Sequence, residues 1–136
     1  VRALPGRPVL VVDGTGVGDA VVAHLRGALV GLADVYSVWF TSGSRVNRDG
    51  PNAFKVPKRL LAGAVDQALR AQKLKFAKEI PNLDSLLVEL KNFTSTITAA
   101  GNVVLASNEA GGVHDDQVMS VALAVWFAVG FTVATA

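Results

Sequence analysis

Val9-Leu10-Val11-Val12-Asp13-Gly14-Thr15-Gly16-Val17-Gly18 is the stretch that decides the fold. Four consecutive apolar residues between Pro8 and Asp13-Gly14 predict a strand buried on both faces, as in a parallel sheet. Glycines then mark a turn, after which Val21, Val22, Leu25 and Leu29 recur at helical spacing. Tyr36 to Phe40 forms a second apolar run, which completes a β-α-β unit. Asp13 therefore lies at the carboxyl end of a strand, where open α/β sheets place their sites.

The glycine turn also has a nucleotide reading. Gly14-x-Gly16-x-Gly18 follows a strand, but the dinucleotide fingerprint spaces its last two glycines three apart, not two. Asp13 would repel a pyrophosphate, and the Lys-Ser/Thr of a phosphate-binding loop is missing. The pattern predicts a tight strand-to-helix turn and no bound nucleotide.

Farther along, Thr41 to Val56 is polar, with an Asp49-Gly50 pair that suits a loop or a hairpin. After Pro57, Leu60, Leu61, Ala64, Val65, Ala68 and Leu69 predict one face of a helix. Lys73 to Ala77 alternates and predicts a short strand. Asn82 is placed to cap a helix whose Leu83, Leu86, Leu87 and Leu90 face inward, ending near Asn92. Phe93 to Thr98 and Asn102 to Ser107 predict a hairpin across Ala100-Gly101. No repeat and no linker interrupts the chain, which is expected to be one domain over residues 1–136.

Gly112-Val113-His114-Asp115-Asp116-Gln117 then opens a long uncharged segment. An Asp before an apolar run starts a helix by accepting the free N–H groups of the first turn. One Asp suffices for that, so the second needs another reason. Carboxylates at the end of a buried element suit a divalent metal, which takes hard oxygen ligands, and Asp13 is the further acid available. His114 reads as a loop residue or cap partner, since no second His is placed to help it hold a metal. His24 reads as structural, Trp39 and Trp126 as core, and Asp19 and Asp34 as helix-end or turn residues. No Ser sits in a nucleophile elbow.

The twenty residues from Gln117 to Ala136 carry no formal charge and are long enough to cross a bilayer. The Asp pair at their entrance, Ser120, Gly130, Thr132 and Thr135, and the lack of a Lys/Arg flank favour a buried core helix ending near Gly130. Composition agrees: of the 136 residues 51% are hydrophobic and 18% charged, which excludes disorder. Cysteine is absent, excluding disulfides and thiolate metal sites. The start has no secretory signal layout and no initiator Met, which suggests a fragment or a processed chain.

The net charge of +2 is unevenly spread. Residues 45–78 hold nine Lys/Arg against Asp49 and Asp66, a local +7, while residues 79–136 hold Lys91 against six acids, a local −5. A basic stripe beside an acidic site is what a nuclease needs to hold phosphates while metals sit on carboxylates. The bland alternative is a solvated face that keeps the protein soluble.

Several motifs in order are similar to one family. Glu89-Leu90-Lys91-Asn92-Phe93, Thr96-Ile97-Thr98-Ala99-Ala100-Gly101, and His114-Asp115-Asp116 leading into Val121-Ala122-Leu123-Ala124 and Trp126 resemble the C-terminal nuclease domain of phage terminase large subunits. Val12 to Gly18 and Val56-Pro57-Lys58-Arg59-Leu60-Leu61 fit the same family in the same order. The resemblance covers nearly the whole chain. It implies an α/β, ribonuclease-H-like fold, with a mixed sheet flanked by helices, that cuts concatemeric viral double-stranded DNA during packaging with two Mg²⁺ or Mn²⁺ ions. It assigns Asp13 and Asp116 to metal, with Asp115 as ligand or support, and Arg45, Arg48, Lys55, Lys58 and Arg59 to phosphate. It further implies a terminase small subunit and portal as partners and the cytoplasm of an infected or lysogenic bacterial host as location, with no membrane.

The family's first acid, on an N-terminal strand, has no counterpart in this sequence. The implied fold is therefore N-terminally truncated, with weak or single-metal binding and little cleavage. The missing strands would also leave a sheet edge or face uncovered. No Walker motif of the packaging motor is present. Two other functions stay open: a non-catalytic DNA- or protein-binding remnant on the same fold, and a small-ligand-binding α/β domain using the glycine turn.

Overall fold

The computed structural model describes residues 4–93, 96–97, 103–104 and 115–134. The chain divides into two compact units, Val1–Pro57 and Lys58–Ala136. It is an α/β protein with a mixed four-stranded sheet flanked by helices.

In the first unit, strand β1 (Val9–Asp13) leads into helix α1 (Gly14–Ala28) and strand β2 (Asp34–Thr41), as the apolar periodicities predict. β1 and β2 are parallel, with Val9 opposite Asp34 and Asp13 opposite Val38. The polar stretch that follows is a hairpin of strands β3 (Asn47–Arg48) and β4 (Ala53–Pro57). Its turn uses Gly50 at φ +104° and is closed by the Asp49 N–H donating to the Ala53 carbonyl at 2.9 Å. β4 also runs parallel to β2, giving the order β1-β2-β4-β3. Phe54 and Val56 of β4 are buried, and Lys55 between them is exposed, the alternation of a strand with one face inward.

Val22, Ala33, Val35, Val38, Phe54 and Val56 form the core of this unit. Contrary to the sequence expectation, β1 is not buried on both faces: Val9 is 46% exposed and its other residues are half-buried. It has β2 on one side only within the unit, so it takes the edge while β2 takes the centre.

The glycine turn works by contact and by dihedral. Gly14 is buried under the Trp39 indole, where a Cβ would lie 2.8 Å from Cε2. Gly18, at φ +75° and ψ 169°, kinks α1. Between them, the Phe40 N–H donates to the Thr15 hydroxyl at 2.7 Å, tying the helix start to the end of β2. Near the other end of α1, Arg26 Nη2 donates to the Asn52 carbonyl at 2.8 Å and to the Ser37 hydroxyl at 3.2 Å.

In the second unit, helix α2 (Lys58–Arg70) buries Leu61, Val65 and Ala68, one stripe at i, i+4, i+7. Leu60 and Leu69, expected on the same face, stay more than a third exposed, so the buried stripe is narrower than the pattern suggested. Helix α3 (Leu83–Asn92) buries Leu86 and Glu89, whereas Leu87 is 39% exposed and faces outward. Helix α4 (Asp116–Ala134) buries Val118, Met119, Ala122 and Leu123 and packs against both α2 and α3. Strands β5 (Thr96–Ile97) and β6 (Val103–Val104) pair antiparallel, within the expected hairpin.

Three local expectations are corrected. Residues 73–77 form no strand: the Lys73 and Leu74 N–H groups donate to the Ala68 carbonyl and close α2 instead. α4 continues through Gly130, because one glycine costs a helix only about 1 kcal/mol and does not stop it. Asn82 precedes α3 in the left-handed region (φ +64°) and makes no side-chain cap; its carbonyl accepts the Leu86 N–H. Among the described residues, no helix is long and apolar enough to cross a membrane.

The Gly14–Trp39 contact yields a stability prediction. Gly14→Ala should lower unfolding stability by about 1–3 kcal/mol through overpacking against the indole. Gly16→Ala, whose Cβ would meet only Asp13 Oδ2 at 3.8 Å, should be neutral or stabilising. Urea unfolding of both variants checks the contrast.

Candidate functional site

α4 begins without help from its own acids. The N–H groups of Gln117 and Val118 donate to Glu89 Oε2 of α3 at 2.9 and 3.0 Å. The Gln117 side-chain amide donates to Glu89 Oε1 at 2.9 Å and to the Ser85 hydroxyl at 2.8 Å. Glu89 is only 7% exposed, and a carboxylate so buried is tolerable because each oxygen accepts a hydrogen bond and the positive end of a helix faces it. The sequence expectation that Asp115 or Asp116 caps the first turn with its carboxylate is therefore corrected: the cap comes from a residue on another helix.

The two acids are thus freed, and they differ. Asp115 contributes its backbone carbonyl to the first helical bond, from Met119 N–H at 2.9 Å. Its Oδ2 accepts from Lys58 Nζ at 2.6 Å, with the two side chains 28% and 30% exposed. Lys58 opens α2, where the helix dipole disfavours a cation, and the Asp115 carboxylate offsets that cost. Asp116 is exposed, and among the described residues its backbone carbonyl, not its carboxylate, takes a side-chain hydrogen bond, from the Ser120 hydroxyl at 2.9 Å.

Asp13 belongs to the first unit. It ends β1, as the sequence implied, and caps α1 through Oδ1, which accepts the Thr15 N–H at 2.8 Å. Its Oδ2 accepts no hydrogen bond among the described residues. No group of three or more His, Asp or Glu side chains that could hold a metal ion occurs among the described residues of either unit. His114 lies outside the described residues.

The basic residues assigned to phosphate are unequally occupied. Lys55 pairs with Asp49 at 3.0 Å, both half exposed. Arg48 donates to the carbonyls of Gly50 and Pro51 and lies over the Phe54 ring at 5.7 Å. Arg45 and Arg59 are exposed and make no hydrogen bond or ion pair among the described residues. Arg59 also lines an open groove of about 670 Å³ between α2 and the end of α3, alongside Leu60, Leu69, Leu90 and Phe93. Among the described residues that line the groove, the acid is Asp66, held by Arg70 at 2.8 Å.

No protein-family model, curated protein or solved structure matches the chain.

Glu89 is the residue that motif reasoning missed as a site component. Its signal was present: a charged residue three positions after Leu86, on the inward face of an apolar helix, needs a partner. Glu89→Ala should destabilise the chain by about 1–3 kcal/mol, because two helix N–H groups lose their acceptor. Asp116→Ala, at an exposed carboxylate, should stay within about 0.5 kcal/mol of the parent. Chemical denaturation of the pair measures the difference.

Proposed function

We propose that this chain is the metal-dependent nuclease domain of a phage terminase large subunit, with a ribonuclease-H-like arrangement of its mixed sheet and helices. In that role it hydrolyses phosphodiester bonds of concatemeric viral double-stranded DNA during genome packaging, in the cytoplasm of a bacterial host. The small subunit and portal would be its partners. The observation that carries the reading is the acid pair at the head of α4, whose carboxylates are surplus to helix capping because Glu89 does that work.

The donor set fits a hard divalent ion in part. The exposed Asp116 carboxylate and Asp13 Oδ2 lack internal partners among the described residues and suit direct oxygen ligation. Asp115, tied to Lys58, suits a supporting place beside Asp116. Bound Mg²⁺ or Mn²⁺ would polarise the phosphate and lower the pKa of an attacking water. This chain's own contribution is to supply the carboxylates and to hold phosphates on Lys58, Arg59, Arg45, Arg48 and Lys55. Two or three acids alone should hold the ion weakly and support only slow cleavage.

A non-catalytic DNA- or protein-binding role on the same fold is the second reading. It is favoured by the Lys58 ammonium already occupying Asp115 and by the lack of a three-acid cluster among the described residues.

The test is nicking of supercoiled plasmid DNA with Mn²⁺. Slow nicking that falls to background in both Asp116→Ala and Asp13→Ala is the expected result. Ion binding without any nicking would move the assignment to the non-catalytic role, and nicking indifferent to both substitutions would remove these residues from the site.

A further inference from the structure

β1 is an edge strand without the usual protection. The Asp34 N–H donates to the Pro8 carbonyl at 3.0 Å, and Val9 stands opposite Asp34 in the parallel ladder. Backbone groups alternate in direction along a strand, so Pro8, Leu10 and Val12 turn theirs to β2. Val9, Val11 and Asp13 turn theirs outward, where no strand pairs with them among the described residues. Natural edges are blunted by Lys, by Pro or by a bulge. β1 has no Lys, and the N–H that Pro8 lacks would have faced β2, so the open side keeps its donors.

We infer that this edge pairs antiparallel with β1 of a second copy of the chain, in the register that sets Leu10 opposite Leu10 of the copy. The inference is independent of the nuclease reading.

The sequence of the edge selects that register. A ladder forms only where outward-facing residues stand opposite one another, so the allowed registers differ by two residues. Centred on Leu10, Arg7 comes opposite Asp13 of the copy, Pro8 opposite Val12, and Val9 opposite Val11. Apolar residues then meet apolar ones, and the charge at each end meets its opposite. Centring on Val9 instead sets Arg7 against Val11, and centring on Val11 sets Asp13 against Val9. Both members of the charge pair have capacity for it. Arg7 Nε and Nη2 hold Asp34 Oδ1, which leaves Nη1. Asp13 Oδ2 accepts no hydrogen bond among the described residues. Val9, 46% exposed in the single chain, is covered by the pairing. A two-fold axis closes the arrangement, so association stops at a dimer with no open β1 edge left.

Because the chain has no cysteine, single substitutions report the register directly. Opposed Leu10 residues make a non-hydrogen-bonded pair with Cα atoms about 4.5 Å apart, inside the disulfide range. Val9 and its copy, like Val11 and its copy, are offset by two residues, about 6.8 Å along the strand, which puts them out of reach. Leu10→Cys, Val9→Cys and Val11→Cys would each be oxidised with diamide and run on non-reducing gels. Leu10→Cys should give about tenfold more covalent dimer than either neighbour. Seven paired residues make a small interface, so sedimentation equilibrium of the parent chain should show a weak dimer, with Kd on the order of 10–100 µM. Val11→Pro removes an outward N–H without touching the β2 ladder and should weaken the dimer about tenfold. Val9→Pro serves if Val11→Pro unfolds, with circular dichroism as the check. A parent chain that stays monomeric well above that range overturns the inference, as does a dimer indifferent to proline. Equal yields from the three cysteines, or a maximum at Val9 or Val11, overturn it as well.

Discussion

The carboxylate of Glu89 under the first turn of α4 is the interaction on which the second unit depends. Gln117 and Val118 present N–H groups that the helix itself cannot satisfy, and Glu89 accepts both while being almost fully buried. One side chain thereby fixes α3 to α4 and satisfies the end of a helix whose first turns are packed. Without it, the same N–H groups would need Asp115 or Asp116, and Lys58 would lose the anion that makes its place at the head of α2 tolerable.

The two units solve the same helix-start problem differently, and the difference bears on function. α1 is capped locally, by the residue that ends β1, so Asp13 spends one oxygen on structure and keeps the other. α4 is capped remotely, so neither of its leading acids is spent on the cap. A local cap is encoded by one residue at the right place in the sequence. A remote cap costs a buried charge, and that cost is supported only by packing of a whole second helix.

This contrast also explains what could be foreseen from the sequence. The β-α-β unit was legible, because an apolar run, a glycine turn and a helical periodicity are all local signals. The edge position of β1 was not, since an apolar run reports side chains and not neighbours. β4 was hidden at the end of a polar stretch because the exposed Lys55 stands between the inward-facing Phe54 and Val56. Residues 73–77 alternate like a strand yet have none, since alternation without a neighbouring ladder stabilises nothing. At the acidic head, the positions of Asp115 and Asp116 were plain, but their partners were not: Lys58 lies 57 residues from Asp115, and Glu89 lies 28 from Gln117. The sequence marks which residues carry charge, and the fold decides which of those charges are already spent.

The Asn52 carbonyl, which accepts from Arg26 Nη2 and from the Ser37 N–H at 3.0 Å, has a mechanical consequence. Peeling the β3–β4 hairpin off β2 would leave a half-buried guanidinium without its main acceptor and break the parallel ladder at the same moment. The hairpin and the β-α-β unit must therefore open cooperatively or not at all. Arg48 and Lys55, which ride on that hairpin, are therefore carried on a stiff ledge and not on a loose flap.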